Sequence, residues 1–174
     1  MSTPRGANRV ESIANCPLLT ALPLRVLQAL GPRFEALELD TGDLLFEKGG
    51  RSATLYIVES GDLEIEDDDR VLGRVGKGGF LCEENILRPA THKNRARATS
   101  PSLVLTLDQL SLDTLWKMEP AVAAFFQLAI GSRLITELRQ ANEQLVSLCE
   151  IPLEELGHTG VRRILEVVDD PTNQ

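Results

Sequence analysis

Short apolar runs alternate with glycine and aspartate turns between residues 34 and 107, and this rhythm limits the fold more than any other feature. The runs are 34–39, 44–47, 54–59, 63–66, 70–75, 95–99 and 103–107. Short strands at this spacing are typical of a barrel or sandwich rather than a doubly wound sheet. We therefore predict a mainly β domain with flanking helices.

The dipeptide Ser60-Gly61 lies between two of these runs, Thr54–Glu59 and Leu63–Glu66. A short connection that contains Ser-Gly between apolar runs is a signal for a tight hairpin. We expect these two strands to pair directly.

Helical patterns flank the strands. Two short helices are expected between Ser12 and Leu30, and the period changes to the helical value of about 3.6 after Leu110. A long helix follows from Pro120, and its first half should pack on the domain through Phe125, Leu128 and Ala129. The predicted organisation is a flexible tail at 1–10, a β domain at 11–119, a long helix at 120–150 and a short helical segment at 151–174.

The second half of the long helix carries apolar residues at alternating spacings of four and three. They are Leu134, Leu138, Ala141, Leu145 and Leu148. This pattern is the seam of a coiled coil. We predict a parallel homodimer through this helix.

A glycine-rich turn at Gly76–Gly79 precedes an apolar residue and the side chains of Glu83, Glu84 and Asn85. We expect a short helical turn here, whose free backbone N–H groups would form an anion site. The basic loop that follows could supply a cation. The stretch therefore indicates a cradle for a phosphate group.

The residues Gly78-Gly79-Phe80-Leu81-Cys82-Glu83 resemble the phosphate-binding cassette of the cyclic nucleotide-binding domains, the family of the catabolite activator protein and the protein kinase A regulatory subunits. Cys82 stands where the family has glycine, and the family's spacing from Glu83 puts His92 where the family has arginine. The resemblance implies a jelly-roll-like β-roll with N-terminal helices and a long C-terminal dimerisation helix. It also implies cAMP or cGMP, or another small anion, as the ligand.

The ligand-binding residues implied by this resemblance are Leu81, Cys82, Glu83, Glu84, Asn85, His92, Lys93 and Glu137. Glu83 matches the glutamate that accepts the ribose hydroxyl, and its charge would also favour a helix N-terminus. Asn85 could donate to the ligand or cap the turn. Glu137 could accept from the base or lie on a solvated flank of the coiled coil.

His92 is the main departure from the family pattern. Histidine is mostly neutral near pH 7 and lacks the planar fork with which arginine binds phosphate. It could still bind phosphate at mildly acidic pH, or with help from Lys93. A slipped loop would instead bring Arg95 or Arg97 to the phosphate, whereas in a regular strand both arginines would face water.

Cys82 is strained if its position requires a positive φ. A thiol at a helix N-terminus has a lowered pKa, so a redox sensor is one hypothesis, and a small buried residue is the alternative.

Composition argues against several other classes of protein. The net charge of −8 opposes binding along a DNA backbone, and Cys16, Cys82 and Cys149 are too far apart for a disulfide framework or zinc site. The apolar run 121–130 is too short to span a bilayer. We expect a cytoplasmic, non-enzymatic protein that has no metal or cofactor apart from the possible nucleotide, and no direct nucleic-acid or membrane partner.

Two functions remain open. The first is a regulatory module in which a β-roll binds a ligand and shifts the long helices of a dimer. The second is an interaction module that kept the fold, lost nucleotide binding and holds a protein partner.

Overall fold

The structure, a computed structural model, describes residues 5–68 and 70–149. Helices α1 (Arg5–Ala14) and α2 (Leu24–Leu30) and a 3₁₀ helix (Gly31–Arg33) precede the strands. The strands are β1 (Glu35–Leu39), β2 (Leu44–Phe46), β3 (Arg51–Ser52), β4 (Thr54–Ser60), β5 (Asp62–Asp67), β6 (Arg70–Gly76), β7 (Phe80–Leu81), β8 (Ala90–Thr91), β9 (Arg95–Ala98) and β10 (Ser102–Asp108). Helices α3 (Gln109–Met118) and α4 (Pro120–Cys149) follow them.

The strands form two antiparallel four-stranded sheets and one two-stranded sheet. Sheet A has the order β1-β10-β4-β7, sheet B has the order β2-β9-β5-β6, and β3 pairs with β8. The core between sheets A and B contains Leu39, Val58, Leu63, Ala98 and Val104. The prediction of a mainly β roll with flanking helices is confirmed.

Sheet A is buried on both faces. Val58 and Val104 face sheet B, so their neighbours Ile57 and Leu105 face the other way, and these are also buried. Helix α3 contacts β10 of this sheet. The helices also contribute buried side chains, which include Ile13, Leu30, Leu115, Ala123 and Phe126.

The predicted hairpin between β4 and β5 is wrong. β4 pairs with β10 and β7 in sheet A, whereas β5 pairs with β6 and β9 in sheet B. The chain crosses from one sheet to the other at Gly61, which has φ of 85° and lies against Pro101 and Ser102. A local turn signal marks the bend but does not determine the partners of the two strands.

The tail predicted at 1–10 ends earlier than expected, because α1 begins at Arg5. Arg9 donates from Nη1 to the backbone oxygen of Phe34 at 2.7 Å, and Val10 packs closely against Gly31. These contacts attach the helix to the turn that precedes β1.

Helix α4 agrees with the predicted long helix, but its buried face differs. Ala123, Phe126 and Ile130 are buried, whereas Phe125 and Leu128 are 38% and 65% exposed. The packing prediction for these last two residues is therefore wrong, because the buried stripe lies on a neighbouring face of the helix.

Helix Pro120–Leu148 is long and apolar enough to cross a membrane by length and composition alone, with a mean hydropathy of 1.3 in an 18-residue window. This finding corrects the expectation that the apolar run is too short. Core helices of soluble proteins meet the same criterion, so it assigns no membrane span.

The chain divides into two compact units, Met1–Arg133 and Leu134–Gln174. The predicted dimer seam lies in the second unit, where Leu138, Leu145 and Leu148 are exposed. The helical segment predicted at 151–174 lies outside the described residues.

Replacement of Gly61 by alanine should destabilise the fold. An added Cβ would come within 2.2 Å of Ser102 Oγ and 2.6 Å of Pro101 O, at a positive φ that alanine disfavours. We expect Gly61→Ala to lower the free energy of unfolding by about 1–3 kcal/mol, the usual cost of such backbone strain.

Urea denaturation would measure this change against Gly73→Ala, a control on β6 where an added Cβ meets nothing within 4 Å. Equal effects of the two substitutions would contradict the assigned role of Gly61.

Candidate functional site

The glycine turn that precedes the predicted cassette is hydrogen-bonded to β4. Gly78 N–H donates to Val58 O at 2.8 Å, and Val58 N–H donates to Gly79 O at 2.9 Å. β7 then pairs with β4 through Phe80 opposite Ile57 and Leu81 opposite Tyr56. These bonds fix the position at which the chain leaves sheet A.

The segment after β7 is a turn rather than the expected helical opening. Asn85 N–H donates to Cys82 O, and the N–H groups of Leu87 and Arg88 both donate to Glu84 O. Residues 83–87 form no helix, so the anion site predicted at a helix N-terminus is not formed there.

Cys82 has a φ of 62°, so the strain expected from replacing the family's glycine is present. Burial raises the pKa of the Cys82 thiol to about 11, although hydrogen bonds from Ser52 and Asn85 act in the opposite direction. The redox-sensor hypothesis depended on a lowered pKa for this thiol, and that expectation is wrong.

His92 is buried at 5% exposure and stacks on Phe46, with ring centroids 3.8 Å apart and an interplanar angle of 4°. Tyr56 lies at the edge of this pair, with its centroid 6.4 Å from that of His92. Backbone bonds with Gly49 and Gly50 hold the histidine segment in place. Burial lowers the pKa of His92, so the imidazole is neutral near pH 7.

Asn85 neither caps the turn with its side chain nor points to solvent. Its Nδ2 donates to Ser52 Oγ at 2.6 Å, and both side chains are buried. A buried amide needs partners, and Ser52 of β3 provides one in addition to Cys82.

Arg95 and Arg97 do not take the place of the missing arginine. β9 pairs in register with β5, and Ala96 and Ala98 are buried inside the roll. Both arginines form ion pairs with Glu66, and Arg97 also donates to Gly42 O. The slipped-loop alternative is wrong.

The other predicted residues are dispersed. Leu81 packs against the core between the sheets, Glu83 is half-buried in the turn, and Glu84 and Lys93 are exposed. Glu137 belongs to the second unit, so its ligand contact stays a prediction.

Sequence reasoning missed Phe46, Ser52 and Tyr56, which surround Cys82 and His92. They come from β2, β3 and β4, and no spacing in the sequence relates them to the cassette. Within residues 5–68 and 70–149, no group of three or more His, Cys, Asp or Glu side chains could hold a metal ion.

A separate cleft of about 300 Å³ lies between α1 and the end of β4. Its lining includes Glu11, Asn15, Glu59 and Lys77, and none of the eight predicted ligand-binding residues.

A family model, the cyclic nucleotide-binding domain, matches residues 36–118. Over these residues the chain is similar to the cyclic nucleotide-binding domain family. The matched segment runs from β1 to the end of α3 and contains the whole cassette. The recognition drawn from the cassette motif is confirmed.

Among curated proteins, one named as a potassium channel in Rhodopseudomonas palustris is 25% identical over 146 residues, which are 82% of this chain and 35% of that protein. The rat voltage-gated inwardly rectifying potassium channel KCNH6 is 28% identical over 116 residues, covering 66% of this chain and 12% of the channel. The chain spans about a third or less of the length of these relatives.

Among solved structures, the N-terminal domain of a transcriptional regulator from Streptomyces coelicolor has a TM-score of 0.65 at 24% identity, covering 76% of this chain and 94% of that one. The catabolite activator protein of Thermus thermophilus has a TM-score of 0.64 at 22% identity, with coverage of 76% and 63%. At these identities, the similarity shows the fold of a cyclic nucleotide-binding domain.

The buried histidine predicts a pH-dependent stability. The pKa of His92 is lower in the folded chain than its ordinary value of 6.5, so the unfolded chain binds a proton more readily between the two values. The contribution of neutral His92 to the free energy of unfolding is fully present above pH 6.5. It is lost as the pH falls through the folded-state pKa.

Urea denaturation at several pH values should therefore show the wild type losing more stability than His92→Gln between pH 7 and pH 5. His158→Gln, which removes the chain's other histidine, should keep the wild-type dependence. Parallel pH profiles for the wild type and His92→Gln would contradict this prediction.

Proposed function

We propose that this domain is a regulatory, non-enzymatic module whose cassette binds a small ligand without the guanidinium–phosphate pair of its family. Its affinity for cAMP and cGMP is then low near neutral pH. The observation that supports this proposal is the packing of His92, which is neutral, buried and stacked on Phe46 at the position of the family's arginine. A cytoplasmic location is part of the proposal.

The size of the effect follows from the type of bond that is missing. A charge-assisted hydrogen bond to phosphate contributes about 1.5–3 kcal/mol, and removing it reduces affinity by about tenfold or more. Arg95 and Arg97 form ion pairs with Glu66 on the outside of sheet B, so neither replaces this contribution.

The curated relatives support a regulatory role. The similar segments lie within larger proteins that are named as potassium channels, of which this chain covers 35% and 12%. We propose that this domain likewise regulates an attached or associated protein.

Calorimetric titration with cAMP and cGMP tests the ligand proposal. At pH 8 the wild type should bind both nucleotides weakly, and His92→Arg should bind at least about tenfold more tightly, because it restores a permanent cation. Arg95→Gln is the matched control, since it removes a guanidinium that faces away from the cassette.

Tight binding by the wild type that Arg95→Gln abolishes would overturn the proposal and identify Arg95 as the phosphate partner. Thermal unfolding of each variant separates a loss of affinity from a loss of fold. If neither the wild type nor a folded His92→Arg binds either nucleotide, the interaction function below is favoured.

The second candidate function is an interaction module formed by the long helix. In the second unit, α4 has exposed apolar residues in a coiled-coil pattern, with Leu138 at 63% and Leu145 at 47% exposure. Apolar residues with this pattern usually pack against a partner helix. We propose a parallel homodimer through Leu134, Leu138, Ala141, Leu145 and Leu148.

The dimer proposal predicts a change in mass for a single substitution. Leu138→Glu places a charge in the seam and should convert the dimer to a monomer, because an unpaired carboxylate is costly to bury. Light scattering after size exclusion measures the mass. Gln140→Glu, two residues further along the helix and outside the seam, should remain dimeric. A monomeric wild type would contradict the assembly.

A further inference from the structure

Four polar side chains of the cassette and β3 form a connected network, namely Asn85, Ser52, Cys82 and His92. Asn85 Nδ2 donates to Ser52 Oγ at 2.6 Å, and Cys82 Sγ lies 3.6 Å from His92 Nδ1. Ser52 and Asn85 both hydrogen-bond to the Cys82 thiol, which opposes the rise in its pKa. Asn85, Ser52 and His92 are 8%, 1% and 5% exposed, so water contributes little to satisfying them. These side chains must therefore satisfy one another.

The hydrogen bond between Asn85 and Ser52 sets the direction of donation in this network. An amide nitrogen only donates, so Ser52 Oγ accepts from Asn85. The Ser52 hydroxyl proton is then free to point to Cys82 Sγ, and this direction agrees with the lowering effect of Ser52 on the pKa of Cys82. Sulfur that accepts from Ser52 can direct its own S–H to the next acceptor.

The Cys82 thiol and the His92 imidazole are both neutral. Burial raises the pKa of Cys82 to about 11 and lowers that of His92, so the thiol keeps its proton and the imidazole carries only one. A neutral imidazole has one donor nitrogen and one acceptor nitrogen. The nitrogen that faces Cys82 is Nδ1.

We propose that Cys82 is a positioning residue, which donates its S–H to Nδ1 of His92 and thereby holds the imidazole in the tautomer protonated on Nε2. Cys82 accepts from Ser52 and Asn85 and donates to His92, so His92 presents a neutral N–H donor. The orientation of a histidine by a hydrogen bond at its other nitrogen is a general way of selecting one tautomer.

The consequence for ligand binding rests on the proposed function of the cassette. A single neutral N–H suits one oxygen acceptor, such as a carbonyl or one oxygen of a phosphodiester, and provides no charge to neutralise a phosphate. Cys82 would thus contribute to ligand selectivity through His92, without touching the ligand.

Nuclear magnetic resonance of the histidine nitrogens tests the tautomer directly and requires no ligand. The chain has two histidines, and His92→Gln assigns the signals of His92 by their loss. In two-bond ¹H–¹⁵N correlation spectra at pH 8, the wild type should show an unprotonated Nδ1 and a protonated Nε2.

Two substitutions at Cys82 then isolate the role of its proton. Cys82→Ser keeps a group that can accept from Ser52 and donate to Nδ1, so the wild-type tautomer should persist. Cys82→Ala removes the donor, so the signals should move toward a mixture of both tautomers. A wild-type His92 protonated on Nδ1, or unchanged nitrogen signals in a folded Cys82→Ala, would overturn the proposal.

If Cys82→Ala does not fold, the wild-type and Cys82→Ser spectra still decide the direction of the bond. The result is also independent of nucleotide affinity. A confirmed tautomer, with no nucleotide binding by the wild type or by a folded His92→Arg, would reject the ligand proposal and leave the positioning role intact.

Discussion

The contact between sheets A and B is the constraint on which the rest of the domain depends. Val58 and Val104 from sheet A pack against Leu63 and Ala98 from sheet B. Burial of apolar side chains between two sheets is the main favourable term in such a fold. The cassette leaves from one of these sheets through β7 and returns to the other through β9. The position of His92 relative to Cys82 thus depends on how the two sheets are packed.

Burial also determines the chemistry of the cassette. An arginine at position 92 would need a charged partner or solvent, whereas a neutral imidazole can be buried if its nitrogens are satisfied. The Phe46 ring stacks on the imidazole, and the Cys82 thiol lies 3.6 Å from its Nδ1. The same desolvation shifts the pKa values of Cys82 and His92 in opposite directions, and in both cases it favours the uncharged form.

Much of the fold follows from local sequence patterns. The turns, the short strands and the helix from Pro120 are encoded by nearby residues. The spacing from Glu83 pointed to His92 as the phosphate position, and its burial was not predicted. The hairpin at Gly61 was predicted wrongly because the turn sequence describes the bend alone. The choice between pairing with β4 and pairing with β9 depends on residues 29 to 35 positions away.

The candidate site was less predictable for the same reason. Its acidic turn and its histidine lie in one stretch, but Phe46, Ser52 and Tyr56 arrive from three separate strands. An asparagine in a turn commonly caps it with its side chain. Only the three-dimensional proximity of Ser52 shows that Asn85 binds a different partner. Periodicity locates the apolar side of α4 only approximately, so the buried stripe at Ala123, Phe126 and Ile130 was displaced from the prediction.

The strand order of sheet A has a consequence for how the domain folds. β10 lies between β1 and β4, and it pairs Glu35 with Thr106 on one side and Thr54 with Asp108 on the other. The first strand of the sheet therefore has no neighbour until the last strand is in place. Contacts between residues so far apart in sequence slow folding, because a long loop must close before they form. During synthesis on the ribosome, the edges of β1 and β4 that pair with β10 would remain unpaired until the whole cassette and β10 had emerged.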